Sequence, residues 1–349
     1  MDSLTQIVLG AAVGEAALGK KVGNKAMLWG AIAGTIPDLD VIGRRFLNDV
    51  SALEMHRGIS HSLLFSLVAA PILGWLLHTF HKNRKNEATT KEWSWLFFLA
   101  LVTHPLLDCH TTWGTQFFWP FDLRIAYNNI NVVDPIYTLP FLVLVLMALF
   151  TRRGSDKRVK YNRLGLIISS IYMVITIGFK GLTYQTFKHS LEEQHIDYKQ
   201  ISTRPTMFNS ILWTANVETK DSFLIGYYSF FDPDKNIRFI GHAKHQEQLD
   251  LIRNEPQVKR LLKITKGWYA IRALGDTVVI CDLRFGEFEE GSDQFVFSHK
   301  IVKEDNEWVV HQIDPKFDFD DLPKFMGALF DRIRGNKDAL KKPSKNERL

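Results

Sequence analysis

Two runs without a charged residue, 135–151 and 164–179, constrain the fold more than anything else in the chain. With 62–80 and 93–107, whose titratable groups are single histidines, they form four apolar segments in succession. Each lies near the short edge of the roughly 17–25 residues that a helix needs to cross hydrocarbon. One such run could be a buried core helix, but four in a row exceed what a soluble domain of this size would bury. Arg163 and Lys180 flank the last run and can extend it by snorkelling. Two weaker segments come first: 3–18, interrupted by Glu15, and 26–36, stopped by Pro37. Short and rich in Gly and Ala, they read as close-packed or partly inserted helices. With Asp2 where a secretion signal carries basic residues, cleavage of the first segment is not expected.

The second half is different in kind, mixed and charged, which is why mean hydropathy is near zero in a chain read as integral to a membrane. Residues 181–198 read as a polar helix continuing the last apolar segment. Beyond them, 210–217, 223–231, 268–273, 277–284, 294–300 and 308–313 are alternating or β-branched runs separated by Gly, Asp and Asn. They predict a small antiparallel β domain of roughly five to seven strands. A helix near 321–334 and a charged, disordered tail close the chain. The expected fold is thus an α-helical integral membrane domain of about six embedded helices over 1–180, followed by a small soluble α+β domain. The domain plan is a connector over 181–198, a β-rich domain over 199–320, and helix and tail over 321–349.

Basic residues suggest the orientation. Lys20, Lys21 and Lys25 separate the first two segments; Lys82, Arg84, Lys85 and Lys91 separate the third and fourth; Arg152, Arg153, Lys157, Arg158, Lys160 and Arg163 separate the fifth and sixth. These are alternate loops, so a six-crossing arrangement puts all of them on the cytoplasmic side and sends the C-terminal half outside. Arg44, Arg45 and Arg57 oppose this pattern, and cations kept there would serve function rather than topology. The formal net charge of +5 comes from those loops and the tail. No base-reading motif accompanies it, which argues against nucleic acid as a partner. Two cysteines, Cys109 and Cys281, imply no disulfide framework.

At the opposite ends of the same segments lie residues of metal-ligand type: Asp38 and Asp40 after the second, His56 and His61 before the third, His104 and Asp108 closing the fourth. His104 and Asp108 are four apart and share a helix face. Pro105 between them removes a backbone donor and favours a kink. An imidazole and a carboxylate at that depth need partners, and a cation supplies one. Asp38 and Asp40 point one way only in an extended segment. His56 and His61 are too far round to share a helix face, which places His56 in an approach loop and His61 in a first turn capped by Ser60. His110 is out of phase with His104 and is a spare. Taken singly, the acid pair reads as a solvated turn and the histidine pair as a surface pair; their shared location argues for one site.

These motifs carry a resemblance. Met1-Asp2-Ser3-Leu4-Thr5-Gln6, Gly34-Thr35-Ile36-Pro37-Asp38-Leu39-Asp40, His56-Arg57-Gly58-Ile59-Ser60-His61-Ser62 and Thr103-His104-Pro105-Leu106-Leu107-Asp108, then Thr112-Trp113-Gly114-Thr115-Gln116 and Phe118-Trp119-Pro120, resemble the YdjM-like family of predicted membrane-bound, metal-dependent hydrolases of the bacterial inner membrane. The resemblance covers about residues 1–150, and many members have His where this chain has Gln6. The His104 and Asp108 step is also similar, more distantly, to the His-x-x-x-Asp of zinc-dependent phospholipases C.

Six nitrogen and oxygen ligands exceed what one tetrahedral ion needs, so two divalent ions, or one ion with a carboxylate base, are both open. Histidine and carboxylate without thiolate suit zinc first, with manganese and iron compatible. In a hydrolase the metal would activate water, and Arg57 would clamp an anionic oxygen of a lipid-linked or phosphoester substrate, or else bind lipid headgroups. Glu15 is either a base behind the ligands or a helix-packing contact. The aromatic loop 111–133 suits the membrane interface, with a lid over the metal mouth, using Asp134 as an entry-side acid, as the functional alternative. The competing function is a non-enzymatic membrane protein with a structural or regulatory metal site. The apolar inner halves of the segments argue against an ion path.

Overall fold

The computed structural model describes residues 1–81, 88–274, 277–288, 290–292, 294–305, 307–313 and 322–341. Lys82, Arg84 and Lys85 of the second basic loop, and the tail beyond 341, lie outside the described residues. The chain divides into two compact units, one built from 1–46, 54–179 and 207–209, the other from 47–53, 180–206 and 210–349.

The first unit is helical. Its long helices are α1 (Ser3–Val22), α2 (Asn24–Thr35), α5 (Leu63–His81), α6 (Thr90–Asp108), α7 (Pro135–Phe150) and α8 (Asp156–Glu193), which runs on into the second unit; short turns α3 (Asp40–Gly43) and α4 (Asp49–Met55) fall between α2 and α5. Among the described residues two helices, α5 and α8, are long and apolar enough to cross a membrane, and α7 is a shorter apolar helix. The expectation of six is corrected accordingly. Helix α1 carries Glu15, Lys20 and Lys21, α2 stops after 12 residues, and α6 includes Lys91, Glu92, His104 and Asp108. Most of the surface of α5 is exposed and apolar, including Leu67, Val68, Ile72, Trp75 and Leu76; α8 likewise exposes Ile171, Val174 and Ile177.

Glycine brings α1 and α2 into backbone contact. A Cβ at Gly10 would stand 2.3 Å from the Gly30 carbonyl oxygen, one at Gly14 2.1 Å from that of Ala26, and one at Gly34 2.6 Å from that of Gln6. This small-residue packing at four-residue spacing replaces side-chain interdigitation by close backbone approach. It also sets Gly34, at the end of α2, beside Gln6 near the start of α1.

The second unit contains two four-stranded antiparallel sheets in sequential order, β1 (Gln200–Pro205) to β4 (Phe239–Ala243) and β5 (Tyr269–Leu274) to β8 (Glu307–Ile313). Between them in sequence are β2 (Leu212–Glu218), β3 (Ser222–Ser229) and helix α9 (Pro256–Ile264); β6 (Thr277–Glu287) and β7 (Phe295–Glu304) complete the second sheet, and α10 (Leu322–Ile333) follows. Phe223, Ile225, Trp268, Val279, Leu283 and Phe295 form a shared core of this unit. The eight strands among the described residues exceed the expected five to seven, because β1 and β4 carry no alternating apolar pattern.

Candidate metal centre

His104 and Asp108 lie one turn apart at the end of α6, and both are fully buried. The helix continues through Pro105. The Nδ1 of His104 is 2.6 Å from the Gly34 carbonyl oxygen, an acceptor only, so Nδ1 carries the proton and donates. Nε2 is left as a lone-pair donor facing inward, the tautomer that a metal-binding histidine adopts. The glycine contact between α1 and α2 therefore fixes the chemistry of a side chain on α6.

His61 enters from the start of α5. The sequence reading gives Ser60 as the cap of this helix; in the structure a 3-10 turn, Ile59–His61, delays the start, and Ser62 Oγ accepts from the Phe65 amide at 3.0 Å. Ser60 Oγ instead lies 3.0 Å from His61 Nδ1 and holds the ring. His61 Nε2 stands 3.2 Å from His104 Nε2. Asp38 Oδ1 is 3.3 Å from His61 Nε2 and 3.4 Å from His104 Nε2, and Asp108 Oδ2 is 3.4 Å from each.

Ligand atoms of Asp38, His61, His104 and Asp108 all lie within 4.8 Å of one another. A tetrahedral ion held at roughly 2.0–2.2 Å requires ligand separations of about 3.3–3.6 Å, and the five separations above, 3.2–3.4 Å, lie at the short end of that range. Two further observations fit a cation. Two imidazole Nε2 atoms face each other with Nδ1 of His104 already protonated, and Asp108 Oδ2 is buried without a hydrogen bond among the described residues, its cationic neighbour being Arg57 Nε at 3.2 Å. The residues present could hold one divalent ion.

Asp40 and His56 stand behind this set rather than in it. Pro37–Leu39 forms a 3-10 turn and Asp40 begins α3, so Asp38 and Asp40 diverge instead of sharing the face that an extended segment would give them. Asp40 lies on the Nδ1 side of His61, 3.8 Å away, and pairs with His56 Nδ1 at 3.3 Å. It also accepts from the Arg57 amide at 3.0 Å. Partial burial raises the Asp38 carboxyl pKa, but the adjoining His104 and His61 rings, when they carry protons on Nε2 in place of a bound cation, outweigh it and hold the group well below the usual range. Asp40 is likewise held low, burial being overcome by His56, while burial lowers His56 below its ordinary value.

Arg57 is buried, with its Nε 3.2 Å from Asp108 Oδ2 and its Nη1 donating to Thr111 Oγ1 at 2.7 Å. Its backbone is left-handed, with φ of 57°. A non-glycine residue rarely adopts that conformation. The aromatic loop holds it there, because the Gln116 amide donates to the Arg57 carbonyl at 3.0 Å and Trp113 packs on His56. Asp134 caps α7 through the Ile136 and Tyr137 amides and accepts from Tyr172 at 2.9 Å, so it is not an entry-side acid. His110 pairs with Asn129 at 2.8 Å.

The structure does not bring Glu15 to the cluster. It is buried nine residues further along α1, where Arg158 Nε and Nη2 grip both carboxylate oxygens at 2.6 and 2.5 Å. It is a packing pair. Sequence reading missed Thr111 and the Gly34 carbonyl. It also left Gln6 without a role: Gln6 Nε2 donates to Asp108 Oδ1 at 3.0 Å, and the Met1 amine pairs with the same oxygen. The only local signal for Gln6 is its place in the opening motif.

A helical unit with exposed apolar helices and a buried His/Asp cluster defines a membrane protein with a candidate divalent-metal centre. Residues 1–186 match the family described as YdjM inner membrane protein, and the chain belongs to that family. It is 28% identical to the uncharacterized protein YfhP of Bacillus subtilis over 239 residues, 65% of this chain and 68% of that one. It is 35% identical to the inner membrane protein YbcI of Escherichia coli over 108 residues, 30% of this chain and 59% of that one. No solved structure matches.

Proposed function

We propose that the protein is a metal-dependent hydrolase of the inner membrane, acting at the membrane–water boundary on a lipid-linked or phosphoester substrate. The observation that carries the reading is the uneven exposure of the ligand set: His61, His104 and Asp108 are fully buried, while the Asp38 side chain is 28% exposed. Among the four ligands, Asp38 is the one past which water and substrate would reach the centre. Zinc suits the tetrahedral separations of the donor set, and once bound it would acidify a water and polarise the scissile oxygen. Arg57, held by Asp108 and Thr111, supplies a positive charge beside the ligands for an anionic substrate oxygen.

A second reading, a structural or regulatory metal, has its own support. Four protein ligands complete a tetrahedron, and closed sets are the mark of structural sites. For hydrolysis a water would have to join the ion beside these residues, and Asp38, the most exposed of them, is the one that would make room. The test is release of phosphate or headgroup from a panel of lipid phosphoesters, with ester and amide substrates beside them, by the metal-loaded full chain. Metal-dependent turnover that falls at least about tenfold in Arg57→Ala with metal retained supports hydrolysis. Full occupancy without turnover on any panel supports the structural reading.

For orientation, Arg153 donates to the Lys21 carbonyl and Arg158 reaches Asn24, so the first and third basic loops share one end of the helical unit. The His/Asp cluster uses the other ends of α1 and α2. Basic residues at one end support a cytoplasmic placement for that end, an extracytoplasmic metal mouth, and a multi-pass chain whose C-terminal part is outside. A reporter fused after Arg334 that is active only in the cytoplasm would overturn this orientation.

A further inference from the structure

At the end of the helical unit away from the His/Asp cluster, the α1–α2 turn and the α7–α8 turn border an open surface cleft of ≈ 470 Å³. Sixteen residues of α1 separate Gln6 from Val22 at its rim, about 24 Å along a helix. Lys25, Arg152, Arg153 and Arg158 line it, with Leu149 and Phe150 as an apolar wall and no carboxylate. We propose that this cleft binds the phosphate of an anionic phospholipid.

The charge balance is the first argument. Arg158 forms the floor, and its charge is cancelled by Glu15 while its Nη1 donates to Asn24 Oδ1 at 2.6 Å. Lys25, Arg152 and Arg153 have no ion-pair partner among the described residues, and Arg153 donates only to the Lys21 carbonyl. Three uncompensated cations therefore face one concavity. Loop charge alone would satisfy the orientation rule without any convergence. The position of Arg153 is built into the turn: Gly23, at φ of 67°, lies under it, and a Cβ there would stand 2.7 Å from Arg153 Cδ.

The second argument is the wall. Phe150 is 83% exposed at the cleft, and Leu139, Val143, Leu146 and Met147 continue from it along one stripe of α7, all exposed. A cationic pocket above an apolar stripe matches a headgroup phosphate joined to an acyl chain. A free phosphate has the same headgroup chemistry and would leave the stripe bare. The placement rests on the membrane family of the chain and is independent of any hydrolytic reading of the metal centre.

The experiment uses the full chain in detergent. Native mass spectrometry is run with equimolar phosphatidylglycerol and phosphatidylcholine of identical acyl chains, and thermal melting with each lipid or with inorganic phosphate. The expected result is at least about fivefold more phosphatidylglycerol than phosphatidylcholine retained, weakening at high salt. That preference should fall to parity in the Lys25→Gln/Arg152→Gln double variant. It should persist in Lys157→Gln/Lys160→Gln, which removes the same charge from exposed positions of α8 outside the cleft. Equal retention of the two lipids by the unaltered chain, or an unchanged preference in the cleft variant, would overturn the proposal. Inorganic phosphate reproducing the full thermal shift would assign the cleft to a soluble anion instead.

Discussion

The helical unit and the β unit both bury charged and polar side chains, and they do so differently. In the helical unit Gln6 of α1, Arg57 and His61 from the approach to α5, and His104 and Asp108 of α6 meet around one point. In the β unit the buried charged groups form pairs or stand alone: Asp282 holds Arg284 two residues away, Arg332 meets Asp232 at 2.6 Å, His242 faces Glu287 at 3.4 Å, and neither ring nitrogen of His299 has a hydrogen-bond partner among the described residues. No group of three metal-type ligands forms there among the described residues. Burial of polar groups is therefore not the mark of the site. The mark is separations that a cation would satisfy, together with backbone and side-chain donors that fix each ligand from behind.

That contrast can be broken by separating structural from ligand polarity within the helical unit. Arg158→Met leaves Glu15 buried without its partner and should cost about 3–5 kcal/mol, the largest effect expected. Metal affinity of the protein that remains folded should be unchanged. Melting of the metal-free variant beside a metal titration checks both, and a lost metal site with normal melting would contradict the assignment of Glu15 as a packing residue.

Gly30→Val is expected to cost about 1–3 kcal/mol, because its side chain would meet the Gly10 carbonyl, and a Cβ alone would stand 2.2 Å away. Here metal binding should weaken together with stability, since the same helix pair carries the Gly34 carbonyl to His104. Asp40→Asn should leave the fold intact and lower metal affinity about 10–100-fold, as expected for a group that supports a ligand from behind. An unchanged affinity would remove Asp40 from the centre; complete loss of metal would promote it to a ligand.

The smallest effect lies in the β unit. Burial lowers the pKa of His299 below its ordinary 6.5. The unfolded chain then binds the proton more readily, so stability is present above that value and is lost as pH falls through it. The loss between pH 7 and 5.5 should be about 1 kcal/mol or less. Hydrogen exchange of β7 amides reads it in the full chain, and His299→Gln should flatten the dependence.

Much of this arrangement was legible because each motif is local. His104 and Asp108 share a helix turn, and Gly10, Gly14, Gly30 and Gly34 advertise close packing. What was not legible depends on distant partners or local winding. Glu15 finds Arg158 across 143 residues, and nothing near Glu15 signals it. Asp40 turns away from Asp38 because a 3-10 turn follows Pro37, where a proline is equally compatible with extended chain. Among the strands, β1 was hidden by Ser202, Thr203 and Arg204, whose burial follows no alternation. The apolar pattern also overstated the membrane helices: α1 carries Glu15 within it and Lys20 and Lys21 in its last turn, and α6 begins with Lys91 and Glu92.

The most direct test of the metal centre is elemental analysis of the purified, metal-replete full chain beside His104→Ala and, from the β unit, His242→Ala. One divalent ion per chain in the unaltered protein and in His242→Ala, with none in His104→Ala, is the predicted result. A metal-free unaltered protein, or metal retained in His104→Ala, would contradict it.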